Sequence, residues 1–237
     1  MMIRAELPVG PAVAFSPVAA PRKRPLDGAT VRLEPVDPAR HAEDLFTSSL
    51  GSPAVWTYLG YGPFADLASF RAWLAERAKE TDPLFHAVVD RATGKAAGMA
   101  SFMRITPAMG VIEIGHIWFA PAIQKTRQAT EAIFLMMRHV FDELGYRRLE
   151  WKCDALNAAS RHAATRFGFA FEGIFRQHMI YKGRNRDTAW FGMTDGDWPR
   201  VKAAFERFLA PENFDAAGKQ RQKLEIARAG GRDDRRI

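Results

Sequence analysis

Cysteine occurs once in the 237 residues, as Cys153. That excludes a disulfide framework and any zinc site built on paired cysteines. No two histidines sit at ligand spacing, so no metal site is expected. No apolar run approaches the ~18 residues of a membrane span. The first residues lack the basic, apolar and cleavage regions of a secretory signal. No internal repeat is present. These absences predict a reduced, cytoplasmic protein with no membrane partner. What is present is globular: 47% hydrophobic, 26% charged and 11% aromatic residues. A disordered or collagen-like chain is thereby excluded. The length fits one domain of roughly 180 residues with tails, or at most two small domains.

The formal net charge is +7, unevenly spread. Residues 1–28 carry +2 and residues 210–237 carry +2, which leaves only +3 between them. A nucleic-acid protein concentrates basic charge on its folded domain, so solubilising tails are expected and no specific nucleic-acid partner. Residues 1–24, with Pro8, Pro11, Pro17 and Pro21, keep no period and read as a flexible leader. Residues 211–237 read as a charged tail too poor in apolar residues to build core. Residues 25–210 form the expected domain.

Within it, periodicity predicts strands over 30–36, 84–90, 96–105, 111–119 and 147–153, with helices over 41–49 and 67–80. A long amphipathic helix carries Ala132, Ile133, Met136, Met137 and Val140 on one face and ends at Gly145. Asn157 caps a short helix that stops at Gly168. A hairpin closes over 169–193 across residues 182–187, and a last helix carries Val201, Phe205 and Phe208. The order predicts an α/β (α+β) fold: a mixed, mostly antiparallel sheet with helices on both faces.

Residues 111–169 carry the chemistry. A strand feeds a polar loop, and the loop opens the long helix. The first turn of such a helix presents unpaired N–H groups and the positive dipole end, a ready phosphate site. Lys125 and Arg127 add charge there. An ordinary capped connection is the competing reading.

The segment resembles the GNAT N-acetyltransferase family, in the branch of the ribosomal-protein N-terminal acetyltransferases. The likeness rests on Glu113-Ile114-Gly115, on Gln124 to Ala129 with Thr130-Glu131-Ala132, on Asn157-Ala158-Ala159-Ser160, and on Arg166-Phe167-Gly168-Phe169, in that order. It implies a GNAT-like fold holding acetyl-CoA between the 111–119 and 147–153 strands. The family's pyrophosphate loop maps onto Gln124, Lys125, Thr126, Arg127, Gln128 and Ala129, with Thr130 following. Arg127 stands where the family has its first glycine, so it either obstructs the phosphates or turns outward and pairs with one. The resemblance also implies that backbone groups of Ile117, Trp118 and Phe119 hold the pantetheine arm, and that Asn157 bonds its amides.

The implied reaction is direct acetyl transfer to a primary amine: a protein N-terminus or a small-molecule amine. The amine must lose a proton, the oxyanion must be stabilised and the thiolate protonated. Many relatives have a tyrosine acid where this chain has Ala164; the branch resembled offers Ser160 instead. Ser160 either serves the leaving thiolate or is a capping-turn hydroxyl on Asn157. Glu113 is the first candidate base, raised by desolvation among apolar neighbours, or else a surface carboxylate. Glu150 and His116 follow. Arg161, Arg176, His178, Arg184 and Arg186 line a basic acceptor entrance or form a solvated face. Trp56, Tyr58 and Tyr61 wall the acceptor site or cover core. A non-catalytic acyl-CoA-binding or regulatory module is the alternative function, and a homodimer stays open.

Overall fold

The computed structural model describes residue 7 and residues 9–227. The chain opens with a two-residue strand, Leu26–Asp27 (β1), pairing with Val31–Pro35 (β2). Helix Pro38–Ser49 (α1) begins three residues before the expected start, because the Asp37 carboxylate accepts Ala39 N–H at 2.9 Å and Pro38 suits the first helical position. A 3-10 turn over Pro53–Trp56 precedes Leu67–Lys79 (α2). Reciprocal Asp66–Ser69 bonds start α2 as a capping box. A meander follows: Leu84–Asp90 (β3), Ala96–Thr106 (β4) and Val111–Phe119 (β5).

Arg127–Arg138 (α3) runs into a π-helical turn, His139–Glu143. Then come Arg148–Asp154 (β6), Ala158–Arg166 (α4), Ala170–Tyr181 (β7), Arg184–Thr194 (β8) and Trp198–Leu209 (α5). The β7–β8 turn is tighter than the expected 182–187: Lys182 and Gly183 both have positive φ, 49° and 70°, which closes a hairpin in two residues.

The strands form one eight-stranded sheet ordered β1-β2-β3-β4-β5-β6-β8-β7. Only β5 and β6 run parallel; every other neighbour pair is antiparallel. Helices lie on both faces. The larger core joins α3, α4 and α5 to the sheet through Ile133, Met136, Leu149, Trp151, Ala164 and Phe205. The smaller core joins α1 and α2 to Phe85, Ala87, Ala96, Met99 and Trp118. Its strand residues come from β3, β4 and β5 alone, so the β6-β8-β7 half of that face lacks helical cover. Glu131, buried on α3, accepts Ala29 N–H (2.7 Å), Thr30 N–H (2.6 Å) and Val31 N–H (3.1 Å). This ties the β1–β2 turn to the helix that carries the loop.

Both expected tails need correction where they are described. Val18 N–H donates to Pro107 O (3.2 Å), Pro21 is buried, and Arg147 lies over the Phe15 ring. Beyond α5, Leu224 is buried and Phe214 and Ile226 pack against the larger core. Gly168 shows how closely this segment is fitted. Its φ is +90°, and a Cβ there would stand 2.9 Å from Val201 and 3.0 Å from Ile226. Local periodicity could not reveal this, because a few scattered apolar residues have no period. The rest of the leader, residues 1–6 and 8, and residues 228–237 lie outside the described part.

Candidate active site

β5 and β6 pair over three residues only: Val111 with Arg148, Ile112 with Leu149, and Glu113 with Glu150. From there β5 stays with β4 and β6 stays with β8 as far as Asp154. The β4–β5 register shifts between Met99 and Ser101, and His116 sits in the left-handed region at φ 52°. An extra residue of this kind bends a strand away from its neighbour. The edge of β5 that carries Ile117, Trp118 and Phe119 therefore has no ladder partner on its β6 side.

The loop after Phe119 leads directly to the start of α3. Lys125 adopts φ 61° and Thr126 caps the helix, its hydroxyl 3.5 Å from Ala129 N. The first-turn N–H groups of Arg127 and Gln128 have no intrahelical acceptor by position. They lie where the family resemblance places a pyrophosphate cradle, and the exposed Lys125 stands beside them.

Several side chains expected in that cradle are engaged elsewhere. The Gln124 amide donates back to Phe119 O at 2.8 Å. Arg127 neither blocks the loop nor turns outward. Its guanidinium donates to Leu209 O at 2.6 Å and lies 4.4 Å from the centre of the Phe214 ring. Thr130 is buried; its hydroxyl donates to Thr126 O and accepts from Arg166. Ala129 is buried as well. Gln124, Arg127, Ala129 and Thr130 thus shape the loop or lend backbone groups, and their side chains do not face the cradle.

Across the gap, Asn157 caps α4 by accepting Ser160 N–H at 3.0 Å. The Ser160 hydroxyl is not bonded to Asn157. It accepts the Trp151 indole N–H at 2.9 Å. Burial pushes the neighbouring Cys153 thiol up. Ser160 therefore sits at the open end of β6, oriented by Trp151 on the strand.

On the opposite face Glu113 is buried, but in charged surroundings. Its Oε2 takes Arg104 at 2.6 Å and Lys152 at 2.9 Å. The expectation of an apolar setting for Glu113 is corrected: strand β5 is apolar locally, while β4 and β6 supply the cations. Oε1 takes no partner among the described residues and points past the last β5–β6 pair, 3.4 Å from where a Cβ of Gly115 would stand. Lys152 also pairs with Glu150 at 2.6 Å and lies 3.8 Å from the centre of the Trp190 ring. Burial alone would raise Glu150, but bonds from Lys152 and Arg148 outweigh it and hold it below the usual carboxylate range. Arg104 stands in a bulge at φ 47°, whose N–H groups (Arg104 and Ile105) the Asp82 carboxylate accepts at 2.8 and 3.0 Å. Lys152, Arg104 and Asp82 escaped the sequence reading. Lys152 left a trace there, since it shares a strand face with Glu150.

The residues from 30 to 170 match the acetyltransferase (GNAT) domain family. A solved GCN5-related N-acetyltransferase from Brucella melitensis is 51% identical, covering 89% of this chain and 96% of its own, with a TM-score of 0.87. This chain belongs to the GNAT family. A second GNAT-family structure, from Chromobacterium violaceum, is 43% identical over 82% of this chain and 98% of that one, with a TM-score of 0.76. An acetyl transferase from Salmonella typhimurium, described as modifying the N-terminal serine of a 50S ribosomal subunit protein, is 20% identical with a TM-score of 0.62. It covers 72% of this chain and 99% of its own, and at that identity the likeness is one of fold. No curated protein matches the sequence.

In this GNAT chain the α1–α2 connection closes the face that carries Glu113. The Tyr61 ring stacks on His116 with centroids 5.6 Å apart, and Phe85 packs on the other imidazole contact at 4.9 Å. Burial first, then Arg104, Arg77 and Arg186, push His116 down to about 4, so its ring is neutral at pH 7. Burial raises the Tyr61 hydroxyl, which has no partner among the described residues. Tyr61 and Trp56 are thus core and wall together, and His116 is a half-buried wall residue.

A cavity of about 640 Å³ opens beside them. It is lined by Trp56, Tyr58, Asp154, Leu156, Tyr181, Lys182 and Arg184, among others. The hairpin tip reaches over it: Lys182 donates to Trp56 O at 2.7 Å and the Tyr181 hydroxyl to Asp154 at 2.7 Å. Among the described residues no group of three or more His, Cys, Asp or Glu is placed to hold a metal ion, and no helix is long and apolar enough to cross a membrane.

Proposed function

We propose that this chain transfers an acetyl group from acetyl-CoA directly to a primary amine. One observation carries the reading: the parallel β5–β6 pair opens immediately after Glu113 and Glu150, and the N-terminus of α3 lies at the end of the opened strand. The opening suits an extended arm bearing amides, which the unpaired edge at Ile117, Trp118 and Phe119 can bond as a strand would. The Asn157 side-chain N–H₂ adds a donor from the other bank. The first-turn N–H groups of α3, with Lys125, suit a pyrophosphate.

Acetyl-CoA supplies the acyl carbon and a thiolate leaving group. The chain supplies the rest. Ser160, fixed by Trp151, offers its hydroxyl proton to the sulfur. Glu113 receives the amine proton on Oε1, directly or through a water, while Arg104 and Lys152 hold Oε2. Lys152 also brings positive charge to the point where the strands part. The α1–α2 connection and the β7–β8 hairpin bound the acceptor.

Two sequence features favour a non-catalytic module: Arg127 in the loop and Ala164 in place of the tyrosine acid. The Arg127 side chain packs on α5 and Phe214, so that half of the argument falls away, and Ser160 stands in for the absent tyrosine. The test is calorimetric titration with acetyl-CoA followed by thiol release over a panel of amines. Saturable binding with amine-dependent release supports the reading; binding without release on any amine would return it to the module.

A further inference from the structure

We infer that Asp82, an exposed carboxylate just ahead of β3, is a positioning residue for Glu113. It holds the backbone bend that aims Arg104 at Glu113 Oε2, and so leaves Oε1 to the amine. This rests on the acetyl-transfer reading above and adds to it a residue that lies outside the site.

Met103 of β4 stands opposite Glu113 of β5, and directly opposite residues of an antiparallel pair share a face. Strict alternation would send the next residue, Arg104, to the other face, where Ile112 and Ile114 meet the larger core. It does not go there. The β4–β5 register shifts between Met103 and Thr106, so that Arg104 and Ile105 together fill the space opposite Ile112. Arg104 adopts φ 47° at this bulge. An extra residue of this kind re-aims a side chain. Ile105 packs against the larger core, and Arg104 returns to the Glu113 face, its Nη1 2.6 Å from Oε2.

The bend needs a support. A side chain disfavours the left-handed region, and backbone N–H groups turned out of a ladder need another acceptor. Asp82 supplies it. The β3–β4 register pairs Leu84 with Phe102, so Asp82 falls opposite Arg104, where β3 has already ended. Its Oδ1 accepts Arg104 N–H at 2.8 Å and its Oδ2 accepts Ile105 N–H at 3.0 Å. An ionised acceptor makes these bonds stronger than a strand carbonyl would. Glu113 depends on the result because its second cation is shared. Lys152 lies 2.9 Å from Glu113 and 2.6 Å from Glu150. With Arg104 released to solvent, Glu113 competes with Glu150 for Lys152, and nothing distinguishes Oε2 from Oε1.

The test measures thiol release from acetyl-CoA, on an amine that the parent protein uses, between pH 7 and pH 9. The variants are Asp82→Ala, Asp82→Asn, Arg104→Met and Glu113→Gln, and each Asp82 variant in the Arg104→Met and Glu113→Gln backgrounds. Asp82→Ala should lower kcat at pH 7 by about tenfold, with KM for the amine and the acetyl-CoA dissociation constant within about twofold. Arg104→Met should reproduce this. Both deficits should shrink toward pH 9, as for Glu113→Gln, because all three act on removal of the amine proton. In the Arg104→Met and Glu113→Gln backgrounds, Asp82→Ala should change kcat by less than about twofold. Asp82→Asn keeps one acceptor oxygen; it should show the same pattern at about threefold, and it carries the test where the alanine variant does not fold. A deficit that is the same at every pH and in every background marks a merely structural role and overturns the inference. An unchanged kcat in the Asp82 variants also overturns it. If the parent turns over and Glu113→Gln is unimpaired, the inference falls and acetyl transfer stands. No release from the parent on any amine removes the inference together with the reading on which it rests.

Discussion

The Ser160 hydroxyl accepts an indole N–H rather than bonding its own helix cap, so its proton can point into the gap between β5 and β6. Ser160→Ala should lower kcat by about 10² and leave the acetyl-CoA dissociation constant within about twofold, measured by stopped-time thiol release and by titration. Glu113 divides its two oxygens between tasks. Oε2 serves Arg104 and Lys152, and Oε1 is left for the amine. Glu113→Gln should depress the rate by roughly 10² at pH 7. The deficit should shrink toward pH 9, where more of the amine is already unprotonated; a pH-rate series on both proteins checks this. The Asn157–Ser160 cap was legible in the sequence because it is a contact over three residues. The Arg104–Glu113 pair was not, because it depends on a left-handed bulge at a non-glycine residue, which no local propensity announces.

At the scale of elements, the strands over residues 84–90 and 111–119 were read with their observed ends, since each is bounded by turn residues and carries a clear apolar pattern. The opening between β5 and β6 left no such mark. It follows from a bulge at His116 against β4, a left-handed position at a non-glycine residue that no local propensity announces. The α3 loop illustrates how a motif position can be filled for a different reason. Arg127 replaces the family glycine and serves as a strut between the helix start and the end of α5. Arg127→Ala should therefore reduce unfolding free energy by about 1–3 kcal/mol, the worth of a charge-assisted hydrogen bond with an aromatic contact. Acetyl-CoA affinity should change by less than about threefold. Urea denaturation and titration on the same variant separate the two effects.

For the whole molecule, the segment after α5 and the buried histidines set stability. Leu224 is buried against the larger core, so Leu224→Ala should cost about 2–3 kcal/mol in urea unfolding; a free tail would give a change near zero. His86 is buried on β3. Burial pushes it down to about 4, against the Arg24 carbonyl bond and with the help of His139. Between pH 6.5 and 4 the unfolded chain takes up a proton that native His86 refuses. Stability therefore falls with acidification through that window and is unaffected by this group above it. The full effect is roughly 3 kcal/mol at the acid end. His86→Gln should flatten the thermal-midpoint profile between pH 6.5 and 4 relative to the parent protein.

The central claim is that the gap opened beyond Glu113 and the first turn of α3 hold one donor molecule between them. A crystal structure with coenzyme A tests it most directly. The account predicts the pyrophosphate on the N–H groups of Arg127 and Gln128, the pantetheine arm along Ile117, Trp118 and Phe119, and the sulfur within hydrogen-bond reach of Ser160. Coenzyme A found on another surface, with that gap closed or filled by protein, would contradict it.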